Sequence, residues 1–332
     1  RRFFTDSGEK AFRGDQVYEW LWRKGAHTFS EMTNLSLVHR EMLESRFTIN
    51  HIAVDQMQRS SDGTIKNAVR LHDGLIVESV LIPTESRTTA CVSSQVGCSL
   101  DCRFCATARL KRMRNLNADE IYDQVVVIDR QSRLYFGHPL SNIVFMGMGE
   151  PLANYRNLVA AIQIITDGNY GFAFAVRRVT VSTAGLASRL ADLGRDTRAN
   201  LAVSLNAADN DTRSRLMPIN RKYSIEKLLE ACRQFPLSGG RRITFEYVLL
   251  KDVNDSPDDA HRLARLLRPV KSKINLIPFN SHPGCRYQRP PEDTILCFQE
   301  ILIDKNYTVM IRRSKGQDIS AACGQLATRG QI

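Results

Sequence analysis

Apolar positions recur along this chain at two periods, and the switch between them divides it. From residue 1 to about 48 the period is helical. In GDQVYEWLWRK, Val17, Trp20 and Leu21 fall at i, i+3 and i+4, and in LSLVHREML, Leu35, Val38 and Met42 repeat the pattern. Three short extended runs follow over 49–84: IAVDQMQ, TIKNAVRL and LIVESVLIP. The turns between them carry Asp62-Gly63 and Asp73-Gly74, the signal of a two-residue hairpin, so a small meander is expected. From residue 85 strand and helix patterns alternate. The strand-like runs are TTACVSS, NIVFMG, RRVTVST, NLAVSL, RITFEYVLL and KINLIPF, with YTVMIRR last. Helix-like segments such as NADEIYDQVVVIDRQ, IEKLLEACRQF and SPDDAHRLARLL lie between them, the last opening on Ser256 as N-cap and Pro257 in the first turn. Such alternation predicts an α/β fold of parallel strands and crossover helices, as a barrel, a partial barrel or an open sheet. In each of these, chemistry collects at the carboxyl ends of the strands.

At 332 residues, 43% apolar and 24% charged, the chain has material for one large α/β domain and a smaller attachment. No uncharged apolar run of about 18 residues occurs, so neither a transmembrane helix nor a membrane partner is expected. The opening RRFFTDSGEKAF has no signal-type apolar region and no initiator Met, and is expected to be a trimmed start of a cytoplasmic protein. A net charge of +11 draws polyanions, nucleic acid before anionic membranes. Mild basicity is also common in proteins that bind no RNA, so charge alone leaves that partner open.

The eight cysteines stand at 91, 98, 102, 105, 232, 285, 297 and 323. In a cytosolic chain the first four, clustered in CVSSQVGCSLDCRFCATA, point to metal binding or catalysis rather than cross-linking. Cys98, Cys102 and Cys105 follow C-x3-C-x2-C, and Cys91 stands apart. Structural zinc usually takes two C-x2-C pairs, and no second pair follows. Three thiolates on one loop would instead hold three irons of a [4Fe-4S] cluster and leave the fourth open to a small molecule. Zinc and a plain redox cluster remain the alternatives at this point.

With Phe104 before its last cysteine and a strand before its loop, the triplet is similar to the radical S-adenosylmethionine (radical SAM) signature. In that superfamily the open iron chelates the amino and carboxylate groups of S-adenosylmethionine. FMGMGEPLANY, at 145–155, carries Gly147 and Gly149 but no third glycine, which weakens a dinucleotide-loop reading. The superfamily resemblance implies instead a turn whose backbone approaches the methionine amine, with Gly149 and Glu150 as contacts. Ser182, then Ser204, Leu205 and Asn206, then Asn280 follow later strands, where small polar side chains converge on a barrel mouth; singly each reads as a turn residue.

The far end, SKGQDISAACGQL at 314–326, extends the likeness. Together with CVSSQVGCSLDCRFCAT, RNL, FMGMGEPLANY, RRVTVSTAG, RLMPINRKY, EYVLLKDVND and INLIPFN, it resembles the RlmN/Cfr family of RNA adenosine methyltransferases over nearly the whole chain. The resemblance implies a radical SAM partial (β/α)6 barrel over 85–313, a small N-terminal helical RNA-binding domain over 1–48, the β-meander extension over 49–84, and a C-terminal segment over 314–332 that carries a methyl-accepting cysteine. It implies one [4Fe-4S] cluster on Cys98, Cys102 and Cys105, with S-adenosylmethionine as cofactor. It also implies a reaction. A first S-adenosylmethionine methylates the thiolate matching Cys323; a second, cleaved to a 5′-deoxyadenosyl radical, activates that S-methyl for addition to adenine. Cys91 then acts as the resolving thiol, releasing methylated RNA through a transient Cys91–Cys323 disulfide, and Glu78 is the proton acceptor. Strand alternation gives Glu78 a face shared with Ile76, Val80 and Ile82, an apolar setting that favours the protonated acid. Arg312, Arg313 and Lys315 would favour a thiolate at Cys323.

The implied partners are 23S rRNA, at an adenosine of the peptidyl transferase region, tRNA, at the adenosine 3′ of the anticodon, and a flavodoxin-type electron donor; a monomer is expected. RLKRMR, at 109–114, would hold phosphates beside the site. The chain departs from the family pattern at Ala108 and Lys111, where glycine is frequent, and at Asn206, where histidine is frequent. GMGEPL is more like the C2-methylating type than the C8 type of Cfr, which resembles GMGEAL. From a different class, a non-enzymatic iron–sulfur or zinc RNA-binding module is the rival reading.

Overall fold

The structure is a computed structural model that describes residues 1–110, 112–237 and 239–327. Twelve strands occur among them: β1 (Ala53–Arg59), β2 (Ile65–Arg70), β3 (Ile76–Pro83), β4 (Thr88–Cys91), β5 (Gln95–Val96), β6 (Arg114–Asn115), β7 (Asn142–Phe145), β8 (Val179–Thr183), β9 (Asn200–Ser204), β10 (Ile243–Leu249), β11 (Ser272–Pro278) and β12 (Val309–Ile311). Ten form one sheet in the order β1-β2-β3-β4-β7-β8-β9-β10-β11-β12, while β5 and β6 pair separately. From β4 to β12 every neighbouring pair in this sheet is parallel. The six crossovers run through helices at 118–136, 155–166, 190–197, 210–216 with 225–233, 257–267 and 292–304. The sheet keeps two edges, β1 and β12, so it does not close on itself. This is the α/β partial-barrel arrangement that the alternating pattern predicts.

Inward and outward residues alternate along the parallel strands. On β10, Phe245 and Tyr247 are fully buried in the apolar core, and the Tyr247 ring lies 5.4 Å from that of Phe298 on helix 292–304. The residues that alternate with them, Glu246 and Val248, face the interior of the curved sheet. The meander is joined to this sheet, because β3 pairs antiparallel with β4 through Leu81 opposite Ala90.

Two local expectations need correction. Each hairpin is closed by three residues rather than two: Ser60 N–H donates to Thr64 at 2.8 Å and Leu71 N–H to Leu75 at 2.8 Å. Gly63 (φ +85°) and Gly74 (φ +82°) take the left-handed position that ends such a loop. In the LSLVHREML stretch the helix is Leu37–Glu44, capped by Ser36, which accepts from His39 N–H. Leu35 therefore precedes the helix, and Val38 is 71% exposed. The side chains that pack are Phe4, Phe29, Met32, Leu35 and Leu43, a small core separate from that of the sheet. No helix among the described residues is long and apolar enough to cross a membrane.

The start of helix 257–267 is as the sequence predicts. Ser256 Oγ accepts from Asp259 N–H at 3.2 Å, the Asp259 carboxylate returns the bond to Ser256, and Pro257 fills the first turn. Ser256→Ala should lower the unfolding free energy by about 1 kcal/mol; an unchanged denaturant midpoint would show that the cap contributes nothing.

Candidate active site

The cysteine loop leaves the carboxyl end of β4 and is stitched at once to the turn after β7. Gly147 N–H donates to Val92 at 3.0 Å, and Ser94 and Gln95 N–H both donate to the Met148 carbonyl. No side chain fits between these segments. A Cβ on Gly147 would lie 2.7 Å from the Val92 carbonyl, and one on Gly149, at φ +95°, would lie 2.5 Å from Gln95 Cβ. The glycines thus serve an approach of the chain to itself, a role apart from the ligand approach that the resemblance implies for this turn.

A cavity of about 170 Å³ opens at these strand ends. Cys98, Cys102 and Cys105 line it together with Gly149 and Glu150. Ser182, Ser204, Asn206, Asn280 and Cys323 complete the set of expected residues found there. Leu205 is not among them: its side chain is fully buried in the core, its N–H donates to Glu246 and its carbonyl accepts from Arg213.

Desolvation dominates the three thiols. Burial pushes Cys98 up to about 12, raises Cys102 well above the usual thiol range and raises Cys105, with neighbouring cysteines adding repulsion at Cys98 and Cys102. Among the described residues no three His, Cys, Asp or Glu side chains converge tightly enough to grip one metal ion. Cysteines that hold a cluster stand further apart, each bonded to its own iron.

Glu150 is 3% exposed. Burial raises its carboxyl to about 7, against the N–H groups of Ala184 (2.8 Å) and Leu152 (3.1 Å), which favour the anion. Those bonds fix both oxygens at the cavity wall. Asn206 adopts φ +58°, a left-handed conformation that asparagine tolerates, and its Oδ1 accepts from Val248 N–H at 2.8 Å, extending the β9–β10 pairing. Asn280 is a clasp for the C-terminal segment: Nδ2 donates to the Cys323 carbonyl at 3.0 Å, and Oδ1 accepts from Gln317 and Ser314.

Cys323 arrives on a strap fastened at both ends. Upstream, Gly316 N–H donates to Asp62 at 2.8 Å and Asp318 accepts from Ser60 and Ser61. Downstream, Ala106 N–H donates to Gly324, Thr107 Oγ1 to Leu326 at 2.7 Å, and Ala327 N–H to Glu78 Oε2 at 2.8 Å. Cys323 also borders a second cavity, of about 60 Å³, which Cys91 lines from β4. The two cysteines, distant in sequence, thus share one space. Cys91 is buried, and burial first, then Cys323, pushes its thiol up to about 12 against the opposing pull of Arg312. The accessible thiolate that exchange requires is not preformed at Cys91. The three basic residues expected to help, Arg312, Arg313 and Lys315, all line the smaller cavity; Arg312 lines the larger one as well, while the Arg313 guanidinium also pairs with Glu292 at 3.0 Å.

Glu78 is buried, but not among apolar side chains alone. Lys66 Nζ stands 3.2 Å from its Oε1, because β2 and β3 pair in a register that brings Lys66 diagonally beside it. In RLKRMR, Arg109 donates to Pro283 and Gly284 carbonyls, and Arg114 bridges Asp73 and Glu120. Arg112 is exposed and Lys111 lies outside the described residues, so Arg109 and Arg114 are committed to the fold rather than free for phosphates.

Arg213 escaped the sequence reading. It is fully buried, donates to the carbonyls of Ala184 (2.7 Å), Ser204 (3.2 Å) and Leu205 (3.0 Å), and ties down Asn220. Burial lowers its pKa to about 10 while Cys102 opposes that shift. One guanidinium thereby joins the ends of β8 and β9. On a short helix rich in charge, nothing local distinguishes Arg213 from Arg215.

Two family models match the chain: the radical SAM superfamily over residues 92–264, and the ribosomal RNA large subunit methyltransferase N-terminal domain over residues 1–49. The chain is 55% identical over 330 residues to the probable dual-specificity RNA methyltransferase RlmN of Christiangramia forsetii, an overlap of 99% of this chain and 94% of that protein. It belongs to the RlmN family of radical SAM enzymes. To the dual-specificity RNA methyltransferase RlmN of Geotalea uraniireducens it is 51% identical over 327 residues, 98% of this chain and 93% of that one. The crystal structure of a radical SAM methyltransferase from Sphaerobacter thermophilus matches at a TM-score of 0.90 and 42% identity, covering 98% of this chain and 95% of the other.

Radical SAM enzymes use a [4Fe-4S] cluster and S-adenosylmethionine. The residues fit such a centre: three thiols line one cavity whose burial opposes their ionisation, and a bound metal centre reverses that penalty.

Two outcomes follow from this geometry. Arg213→Met leaves buried carbonyls unpaired and should destabilise the protein by on the order of 3 kcal/mol in chemical denaturation; an unchanged stability would mean that solvent already reaches those carbonyls. In timed alkylation of the native protein read by peptide mass spectrometry, exposed Cys297 should react early and buried Cys91 and Cys232 late. Early labelling of Cys91 would show that its pocket opens readily.

Proposed function

We propose that this protein is a radical SAM methyltransferase of dual specificity, which methylates C2 of an adenosine in 23S rRNA and in tRNA through a methylated cysteine. The observation that carries the reading is the position of Cys323: it borders both the cavity of the cysteine triplet and the smaller space that holds Cys91. A binding module has no need for a lone thiol at that junction, with a second thiol beside it.

Cys98, Cys102 and Cys105 would hold the cluster, and Glu150, with Gly149, Ser182, Ser204, Asn206 and Asn280 on the same walls, would receive S-adenosylmethionine. When bound there, the cluster would supply the electron for reductive cleavage of S-adenosylmethionine. Glu150, fixed by two backbone N–H groups, offers a negative charge to the methionine ammonium. Leu205, with its side chain in the core, acts only through the backbone at the end of β9.

Cys323 gives up its proton and takes a methyl group as a thioether. That sulfur later carries the one-carbon unit joined to the adenine. Cys91 then attacks the Cys323 sulfur, forming an S–S bond as the C–S bond breaks; the electron pair of that bond passes to the one-carbon unit on the adenine, which takes a proton to become the methyl group, and a two-electron reductant resets the cysteine pair. Because the Cys91 thiol is raised by burial, its proton must leave within the site, and Arg312 is placed to stabilise the charge that develops. Glu78 lies two residues from Val80, which pairs with Cys91, and so shares that face of the sheet. Its carboxylate, held by Lys66, is the acceptor for the adenine proton, which requires the Lys66 contact to yield or to pass the proton on.

The test is anaerobic turnover with CD3-labelled S-adenosylmethionine, reductant and unmodified rRNA or tRNA, read as nucleosides by mass spectrometry. The expected product is 2-methyladenosine with two deuteriums and one protium on its methyl. Intact CD3 transfer would remove the roles of Cys323 and Cys91, and 8-methyladenosine would move the reaction to the Cfr type. With Cys91→Ser, a covalent protein–RNA adduct should accumulate; free methylated RNA at the wild-type rate would mean that another group resolves it.

A further inference from the structure

The cysteine loop is anchored at two ends, and the reaction proposed above uses one of them. Beyond Cys105 the loop is fastened to the strap that carries Cys323, through Ala106 N–H to Gly324 at 2.8 Å and Thr107 Oγ1 to Leu326 at 2.7 Å. Beside Cys102 it is fastened elsewhere: Arg103 N–H donates to the Leu216 carbonyl at 2.9 Å, at the end of helix 210–216. Cys102 and Phe104 pack there on a small apolar cluster of Leu216, Met217, Leu250 and Phe279. Val253 and Tyr287 pack on the same cluster.

Leu216, Val253 and Tyr287 also line an open cleft of about 420 Å³. One apolar layer thus separates this cleft from Cys102. The other lining residues are mainly cationic: Arg215, Lys251 and Arg286 are exposed, against Asp252. None of the three closes an ion pair among the described residues. Arg103, on the cysteine loop itself, is exposed as well. These charges come from three different crossovers, after β9, β10 and β11, so the fold gathers them where no basic run exists in the sequence. Electron transfer falls off steeply with distance, so a protein that reduces the cluster must come up to the cysteine loop. Redox encounters of this kind are small, transient and steered by opposite charge. RNA phosphates would meet the same charges, but Cys323 and Cys91, the sulfurs that must serve the adenine, stand with the strap at the loop's other end. We infer that this cleft is the docking surface of the electron donor, a small acidic protein that presents its one-electron centre toward Cys102. This rests on the reading of Cys98, Cys102 and Cys105 as cluster ligands. The donor loses one electron and the cluster gains it, with no bond made or broken, and that electron is the one used to cleave S-adenosylmethionine.

The experiment uses the anaerobically reconstituted protein with a flavodoxin as probe. Binding of the oxidised flavodoxin is measured by titration, and reduction of the cluster by its hydroquinone form is followed by stopped-flow absorbance. Lys251→Glu combined with Arg286→Glu should weaken flavodoxin binding about tenfold or more and slow cluster reduction by a similar factor at limiting flavodoxin. The difference from wild type should shrink as salt is raised. Cluster reduction by dithionite, which needs no docking, and affinity for the RNA substrate should match the wild type. Undiminished flavodoxin binding in the variant, or none in the wild type, overturns the inference. A loss confined to RNA affinity overturns it too and assigns the cleft to phosphates. Should charge reversal disturb the near-UV dichroism, Lys251→Gln combined with Arg286→Gln is measured in the same way. A smaller loss of flavodoxin binding is then expected, and no loss overturns the inference. A wild type that holds no cluster, or whose cluster dithionite does not reduce, sinks the reading of the cysteine triplet and this inference together.

Discussion

The site hangs on a contact that leaves no room for a side chain, between Gly147–Gly149 and Val92–Gln95. Because the two backbones touch, neighbouring polar groups can bridge between elements rather than fill space. Ser93 Oγ donates to the Glu78 carbonyl on β3 and accepts from Met148 N–H, and Gln124 reaches the Ser93 backbone from helix 118–136. Gln95 Oε1 accepts from Glu150 N–H, and Asn154 Nδ2 donates to Ser94 and Leu116 carbonyls. Four elements are thus fixed to one three-residue stretch, directly upstream of the first cluster cysteine. Pinning of this density is what holds reactive groups to the tolerances that catalysis demands.

A second organising fact is electrostatic. The interior of the curved sheet collects groups that would each be costly alone: three thiols, Glu150, Glu246, Arg213 and Arg312. Arg213 is compensated by carbonyl dipoles rather than by a carboxylate, so its charge is bound to the ends of β8 and β9 and unavailable to a ligand. Among the described residues Arg312 has no such set of carbonyls around its guanidinium but the Met146 sulfur at 3.4 Å, and it lines the cavity with Cys91 and Cys323. Two arginines of the same chain therefore do different work, Arg213 fully buried and structural, Arg312 half-buried and turned toward the sulfurs.

What could be read from the sequence was whatever depends on period or on local chemistry. The strand–helix alternation, the Ser256-Pro257 start and the cysteine spacing belong to this class, since each is set within a few residues. The misreadings arise where distant partners decide. Val38 fits a helical stripe, but Ser36 caps the helix after Leu35, and the buried face turns to His39 and Leu43. Glu78 alternates with apolar neighbours, but strand register brings Lys66 to it. A second role of Gly147 and Gly149 was illegible for the same reason, since what crowds them is Ser93 and Gln95, some fifty positions earlier in the chain. Asn280 follows its strand at the cavity wall as expected, and its hold on the C-terminal segment is a further contact that only the fold reveals.

The two-ended fastening of that segment has a kinetic meaning. A thiol on a free tail searches a large volume, whereas Cys323 sits on a short span tied at Asp318 and again from Gly324 onward. Short tethers hold two groups at an effective concentration of about millimolar or above. Encounter between the sulfurs of Cys323 and Cys91 is therefore intramolecular, and dilute thiols from outside compete poorly for either one.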